Sequence, residues 1–246
     1  MKALVKKGLS IFGYELRKKS YLGYDKINPH KTEFNRKSSE IYNLHFQQSI
    51  ETVKYLETKY EAPILGKLSV LEALKLLSQC IDPTDNILYL TNQLIHTLQV
   101  IDGMEKDGIC DSDMLIAALV HDLGKILLLF GEQPENIVCV NRVVDQDSEA
   151  RGFDNHIFQY GHDEFAYSRL KNYLPDHISW LIRYHSIRLH ECDIFMDEKD
   201  KKFAEKYLIP FKKYDQGTKS IYLLPDKKID DYSDLINQYF PSSIII

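Results

Sequence analysis

Residues 111–130, DSDMLIAALVHDLGKILLLF, constrain this chain more than any other stretch. Beyond its acidic start, only His121, Asp122 and Lys125 interrupt a run of apolar and small residues. The spacing predicts a helix buried on most of its circumference. A histidine beside a carboxylate is costly in such a place unless something pairs with both. A metal ion pairs with both. The fold must then wrap further helices around this one and bring more ligands to it.

The remainder of the chain suits that demand. It has 246 residues, 44% hydrophobic and 27% charged, a soluble globular composition long enough to bury a sizeable core. A net charge of −5 argues against nucleic acid as a partner. Cys80, Cys110, Cys139 and Cys192 are scattered without a CxxC pair, as expected of reduced thiols in a cytoplasmic protein. No apolar run approaches the roughly 18 residues that span a bilayer. The N-terminal run is broken by Gly8 and Gly13, which argues against a secretory signal. Residues 1–37 carry ten Lys or Arg against Glu15, Asp25 and Glu33 and form a basic extension to a domain over 38–246. A monomer is expected.

Helical spacing recurs along that domain. Leu44, Ile50, Val53 and Leu56 predict a helix over 40–60. Ser69-Val-Leu-Glu72 is a capping box that opens a second helix, running to about Cys80. DPTDN (82–86) is a turn. A third helix over 88–107 carries His96 and ends at Gly108, where a left-handed residue is cheap. Residues 131–158 lose the helical period and predict a hairpin or a long lid loop. Helices resume over 161–173, after Pro175, over 198–214 and over 230–240. The fold class is all-α, one helical bundle with a loop or short hairpin as lid.

Of the nine histidines, His30, His45, His156, His177 and His190 have no partner that spacing identifies. His96 and His121 sit on apolar helices, His162 opens a helix in GHDE, and His185 shares a face with Ile178, Leu181 and Ile182. Imidazoles on separate helices, with Asp122 beside one of them, suit a metal site in a bundle core. Neighbours on a helix point about 100° apart, so His121 and Asp122 can share a centre only if one ion or a pair straddles that surface. Lys125, one turn on, either neutralises the acidic groups or holds a substrate oxygen.

His96…His121-Asp122…Asp215 resembles the H…HD…D pattern of the HD-domain superfamily. HDLGK (121–125), FGE (130–132), GFDN (152–155), YGHDEF (160–165), LIRYHS (181–186) and FKKYD…TK (211–219) follow in an order similar to the myo-inositol oxygenase family. The similarity runs over 42–240. It implies an HD-domain helical bundle and a mixed-valent Fe(II)/Fe(III) pair held by His96, His121, Asp122, His162, His185 and Asp215, with Asp122 bridging. It implies O2 as co-substrate and cleavage of a C–C bond in a small polyol, most simply myo-inositol to glucuronate. Lys125, Ser186 and Lys219 fall on the family's substrate-contacting positions. Asp82 and Asp85 are the counterparts of its substrate-contacting aspartates. Arg36 is the candidate for an N-terminal arginine. Val140 stands near the place of a family acidic residue, and NRVVDQD around it departs from the family. The rivals are an HD-type metal-dependent phosphohydrolase, a related di-iron oxygenase acting on a phosphonate, and a binding module with a dead site.

Overall fold

The computed structural model describes residues 29–85, 87, 91–138, 140–145 and 150–246. Most of the basic stretch, residues 1–28, lies outside them, as does Cys139. The chain divides into two units, Met1–Glu33 and Phe34–Ile246. All-helical architecture is observed: α1 (Pro29–His45), α2 (Ile50–Lys59), α3 (Val70–Leu76), α4 (Gln93–Lys106), α5 (Ser112–Val120), α6 (His162–Leu170), α7 (Asp176–Tyr184), α8 (Leu189–Cys192), α9 (Glu198–Phe203), α10 (Ile209–Gly217) and α11 (Ser233–Tyr239). A two-residue antiparallel pair joins β1 (Lys67–Leu68) to β2 (Ile244–Ile245), with Leu68 opposite Ile244. Among the described residues no helix is long and apolar enough to cross a membrane.

Local chemistry sets the boundaries. Ser69 Oγ accepts from the Glu72 amide while Glu72 reaches back to the Ser69 amide, the expected capping box at the start of α3. Asn92 caps α4, which closes at Gly108 with φ of +81°. The expected helix over 40–60 is instead two. Ser49 accepts from the Thr52 amide and starts α2 anew, because the turn before it sends His45 and Gln48 inward to bond the 135–160 segment. Leu44 is left half exposed, and only Val53 and Leu56 of the predicted face are buried.

The central segment is likewise two pieces. In α5, Met114, Ile116, Ala117, Ala118, Leu119 and Val120 are all buried, each large side chain contributing roughly 1.5–3 kcal/mol. At Asp122 the backbone leaves the α region (φ −95°, ψ 8°), and Leu123–Phe130 winds as a 3-10 helix closed by Gly131 at φ +80°. Gly124 explains the close packing that follows. A Cβ built there would lie 1.9 Å from the His162 carbonyl oxygen, so only glycine lets this segment touch the start of α6.

Among the described residues of 131–158 the hairpin character shrinks to one antiparallel bridge, Val143 with Phe158. The helix expected over 198–214 runs from α9 through a π turn (Ala204–Leu208) into α10. Pro210 lacks an amide proton and crowds the carbonyl four residues back, and the wider turn before it accommodates both. Cys80 and Cys192 are buried and Cys110 exposed, none in a disulfide.

Candidate metal centre

Six side chains from five elements meet at one place. His96 comes from α4, His121 from the end of α5, and Asp122 from the junction with the 3-10 segment. His162 is the first residue of α6, His185 follows α7, and Asp215 lies on α10. None is more than 5% exposed. His121 and His185 stand where a helix leaves carbonyls without amide partners. Each turns Nδ1 onto such a carbonyl, His121 to Ala118 at 2.9 Å and His185 to Ile182 at 2.8 Å. His162 Nδ1 meets the Ile137 carbonyl at 2.5 Å. A carbonyl only accepts, so these three nitrogens are the protonated ones and every Nε2 presents a lone pair inward.

Those lone pairs converge on other acceptors. His162 Nε2 is 3.1 Å from His185 Nε2 and 3.1 Å from Asp122 Oδ1, which is 3.6 Å from His185. On the other side, Asp122 Oδ2 lies 3.4 Å from His121 Nε2 and 3.6 Å from His96 Nε2, and Asp215 Oδ1 lies 3.0 Å from His96. Asp122 therefore turns one oxygen to each histidine pair. Two groups of three, His96–His121–Asp122 and Asp122–His162–His185, each have ligand atoms close enough to hold one metal ion. Among the described residues the buried Nε2 of His121 finds no hydrogen-bond partner. Packed acceptors with an orphaned lone pair repel unless a cation lies among them, so the donor set fits two metal ions sharing one carboxylate.

The surrounding charges are closely matched. Lys125 Nζ donates to Gln93 Oε1 at 2.9 Å and Asp122 Oδ2 at 3.0 Å, and Asp82 Oδ2 is 3.1 Å away. All three ammonium protons are thereby taken. Burial lowers its pKa, but Asp122 and then Asp82 outweigh burial and raise it. Burial would likewise raise Asp122; the Lys125 charge opposes burial and holds the carboxyl well below the usual carboxylate range. For Asp215, the His96 hydrogen bond and the Lys219 charge overcome burial in the same direction. Lys219 Nζ sits 2.7 Å from Asp85 Oδ2. Asp82 and Asp85 thus engage the two lysines. Burial drives His96 toward its neutral form.

An open cavity of about 540 Å3 reaches these groups, a size ordinary for a small-molecule site. Asp82, Asp85, Asp122, Lys125, His162, His185, Ser186, Asp215 and Lys219 all line it, as does Val140. Ser186 Oγ donates to Asp163 Oδ2 at 2.5 Å, which leaves the hydroxyl an acceptor toward the cavity. Arg36 is not in the lining; it pairs with Glu40 on an exposed helix face. Of the histidines without a partner in sequence, His190 lines the cavity, and His45 is buried against the Glu135 and Val140 carbonyls. His177 pairs with Asp113, and His156 lies beside Asp145. Sequence reasoning missed Gln93, Asp163, Arg188 and Lys212. Asp163 had a signal, a second His-Asp dipeptide at 162–163. The others had none.

The fold and site define a class: an all-helical protein with a buried His/Asp candidate metal centre at the floor of a small-molecule cavity. The particular family follows from comparison with known proteins. A family model described as myo-inositol oxygenase matches residues 35–144 and 138–246, and the chain belongs to that family. Its activity class is that of an oxygenase. Among its relatives, a rice protein named "Probable inositol oxygenase" is 29% identical over 258 residues, covering 87% of this chain and 83% of that protein. Arabidopsis thaliana "Inositol oxygenase 1" is 29% identical over 255 residues (87% and 81%). Human "Inositol oxygenase" is 25% identical over 236 residues (80% and 82%).

Proposed function

We propose that this chain uses O2 to cleave a ring C–C bond of myo-inositol or a closely related polyol, giving glucuronate in the simplest case. The observation that carries this reading is the placement of Asp122, one oxygen toward His162 and His185 and the other toward His96 and His121. Names shared with relatives from plants and animals support the substrate class.

The balance is simple. Myo-inositol gives up four electrons, O2 takes them, one oxygen atom enters the new carboxylate and the other leaves as water. His96, His121, Asp122, His162, His185 and Asp215 would hold two irons, which supply O2 activation and a Lewis acid for the substrate's hydroxyls. The protein's own part is to bind and orient. Ser186, its proton committed to Asp163, accepts from a substrate hydroxyl. Lys219 has donors beyond its bond to Asp85, and they face the cavity. Lys125 has no spare proton, so a substrate oxygen reaches it by displacing Asp82, whose other oxygen stays bonded to Thr84. Until then its charge acts through space, lowering the cost of an alkoxide-like oxygen nearby.

The test is an oxygen electrode with iron-loaded protein and myo-inositol, with glucuronate measured in parallel. Equal consumption of O2 and inositol is expected. No O2 uptake across a panel of polyols, with phosphate released from a phosphoester instead, overturns the reading in favour of the hydrolase.

A further inference from the structure

Three lysines and an arginine are among the described residues that line the cavity, and three of the four have carboxylate partners. Lys125 is held by Asp82 and Asp122, Lys219 by Asp85, and Arg188 at the rim by Glu191 at 3.0 Å. Lys212 has none. Its Nζ donates to the Ile187 carbonyl, and among the described residues no carboxylate oxygen lies within 4 Å of it. The acidic residues of the lining are Asp82, Asp85, Asp122 and Asp215, each already engaged. Burial drives the Lys212 ammonium toward its neutral form, and Asp215, Cys192 and Asp163 oppose this only through space. A half-buried lysine that faces a cavity without a counter-ion is expensive, and a bound anion removes the expense. One of its three donors is spent on Ile187, and two remain. Arg188 and His190 stand on the same lining, and the acid beside them, Glu191, is already paired to Arg188.

We propose that the ligand of this cavity is a polyol carrying an oxyanion, phosphate or carboxylate, and that Lys212 receives the oxyanion with Arg188 at the rim. This rests on the reading that the polyol binds in this cavity, and it narrows the substrate from a neutral ring to an anionic one. Neither Lys212 nor Arg188 emerged from the sequence as a site residue, and neither is among the six candidate metal ligands.

Calorimetry tests it on the full chain, metal-free and iron-loaded, with myo-inositol, myo-inositol 1-phosphate and glucuronate as probes. The oxyanion-bearing ligands are expected to bind at least about tenfold more tightly than myo-inositol. Lys212→Met removes about tenfold of that preference, and Lys212→Arg restores most of it. Lys213→Met, at an exposed neighbour paired to Asp107, leaves the ratio where it was. The phosphate and carboxylate arms separate the two sources of the anion. Equal binding of neutral and anionic ligands, or a preference unchanged in Lys212→Met, overturns the proposal. Lys212 dependence confined to glucuronate assigns the oxyanion to a carboxylate, and dependence confined to the phosphate ester assigns it to a phosphate. An intact preference with no O2 uptake for any ligand sinks the oxygenase reading alone and leaves the anion site standing.

Discussion

The floor of the cavity and its wall are built on opposite terms. On the floor, His121, His162 and His185 are each fixed by a backbone carbonyl, and Lys125 has three acceptors for three protons. Along the wall, the described residues of 131–158 run with little regular structure, and the lining exposes His190 and Lys212, a lysine with no counter-ion among the described residues. The lesson is one of constraint. Groups on the floor hold one another in a single arrangement, as a metal site requires. The wall is free to change side chains without disturbing that arrangement, so it is where a substrate preference can be set.

The harshest way to break the contrast is Asp122→Asn. The amide keeps the shape of the carboxylate but offers an oxygen to only one histidine pair and two unwanted protons to the other. Metal affinity is expected to fall by more than about 100-fold, with oxygenase activity lost. Metal content after dialysis checks this, with circular dichroism as a control for folding. Full retention of two ions per chain would show that Asp122 is not shared between them.

Glycines sharpen the contrast next. Gly124→Ala drives a methyl into the His162 carbonyl, which belongs to the backbone of α6 and cannot swing away. The expected cost is on the order of 3 kcal/mol, or roughly 6–12 °C in Tm for a chain of this size. Gly108→Ala, at φ +81° but with nothing within 4 Å, meets only backbone strain of about 1 kcal/mol. Thermal melts of the two variants separate steric conflict at the floor from ordinary strain at a helix end. Equal shifts would mean that α6 can retreat from the 3-10 segment.

These particulars also show what was legible in the sequence. The six candidate ligands could be found because imidazole and carboxylate among apolar residues are chemically conspicuous, and because Ser69, Asn92 and Gly108 punctuate helices by local chemistry. The break at Asp122 could not. Leu123–Phe130 is as apolar as α5, and what stops the α-helix there is contact with α6, some forty residues further on. The division between α1 and α2 was hidden for the same reason, since Gln48 bonds Tyr160 across the fold. Lys212 reads as one basic residue among many in KKFAEKYLIPFKK. Only the folded chain shows which of those lysines lines the cavity.

Glu132 joins the two regions, and it offers the gentlest test. It ends the floor segment and begins the wall. One oxygen accepts from Lys59 and Tyr60, both at 2.5 Å, and the other from Asn136 and the Gln133 amide. Burial works against its charge, but Lys59, Tyr60 and Asn136 outweigh burial and bring its pKa down to about 2. A folded value below the ordinary one near 4.5 means the unfolded chain takes up the proton first as pH falls. The stability that the carboxylate contributes is therefore complete above about pH 5 and drains away as pH drops toward 2. Glu132→Gln should be less stable at neutral pH and should lose part of the acid sensitivity between those limits, measured by urea unfolding at several pH values. A variant with the parent's full pH slope would place the acid-sensitive link elsewhere and leave the wall without this tie to α2.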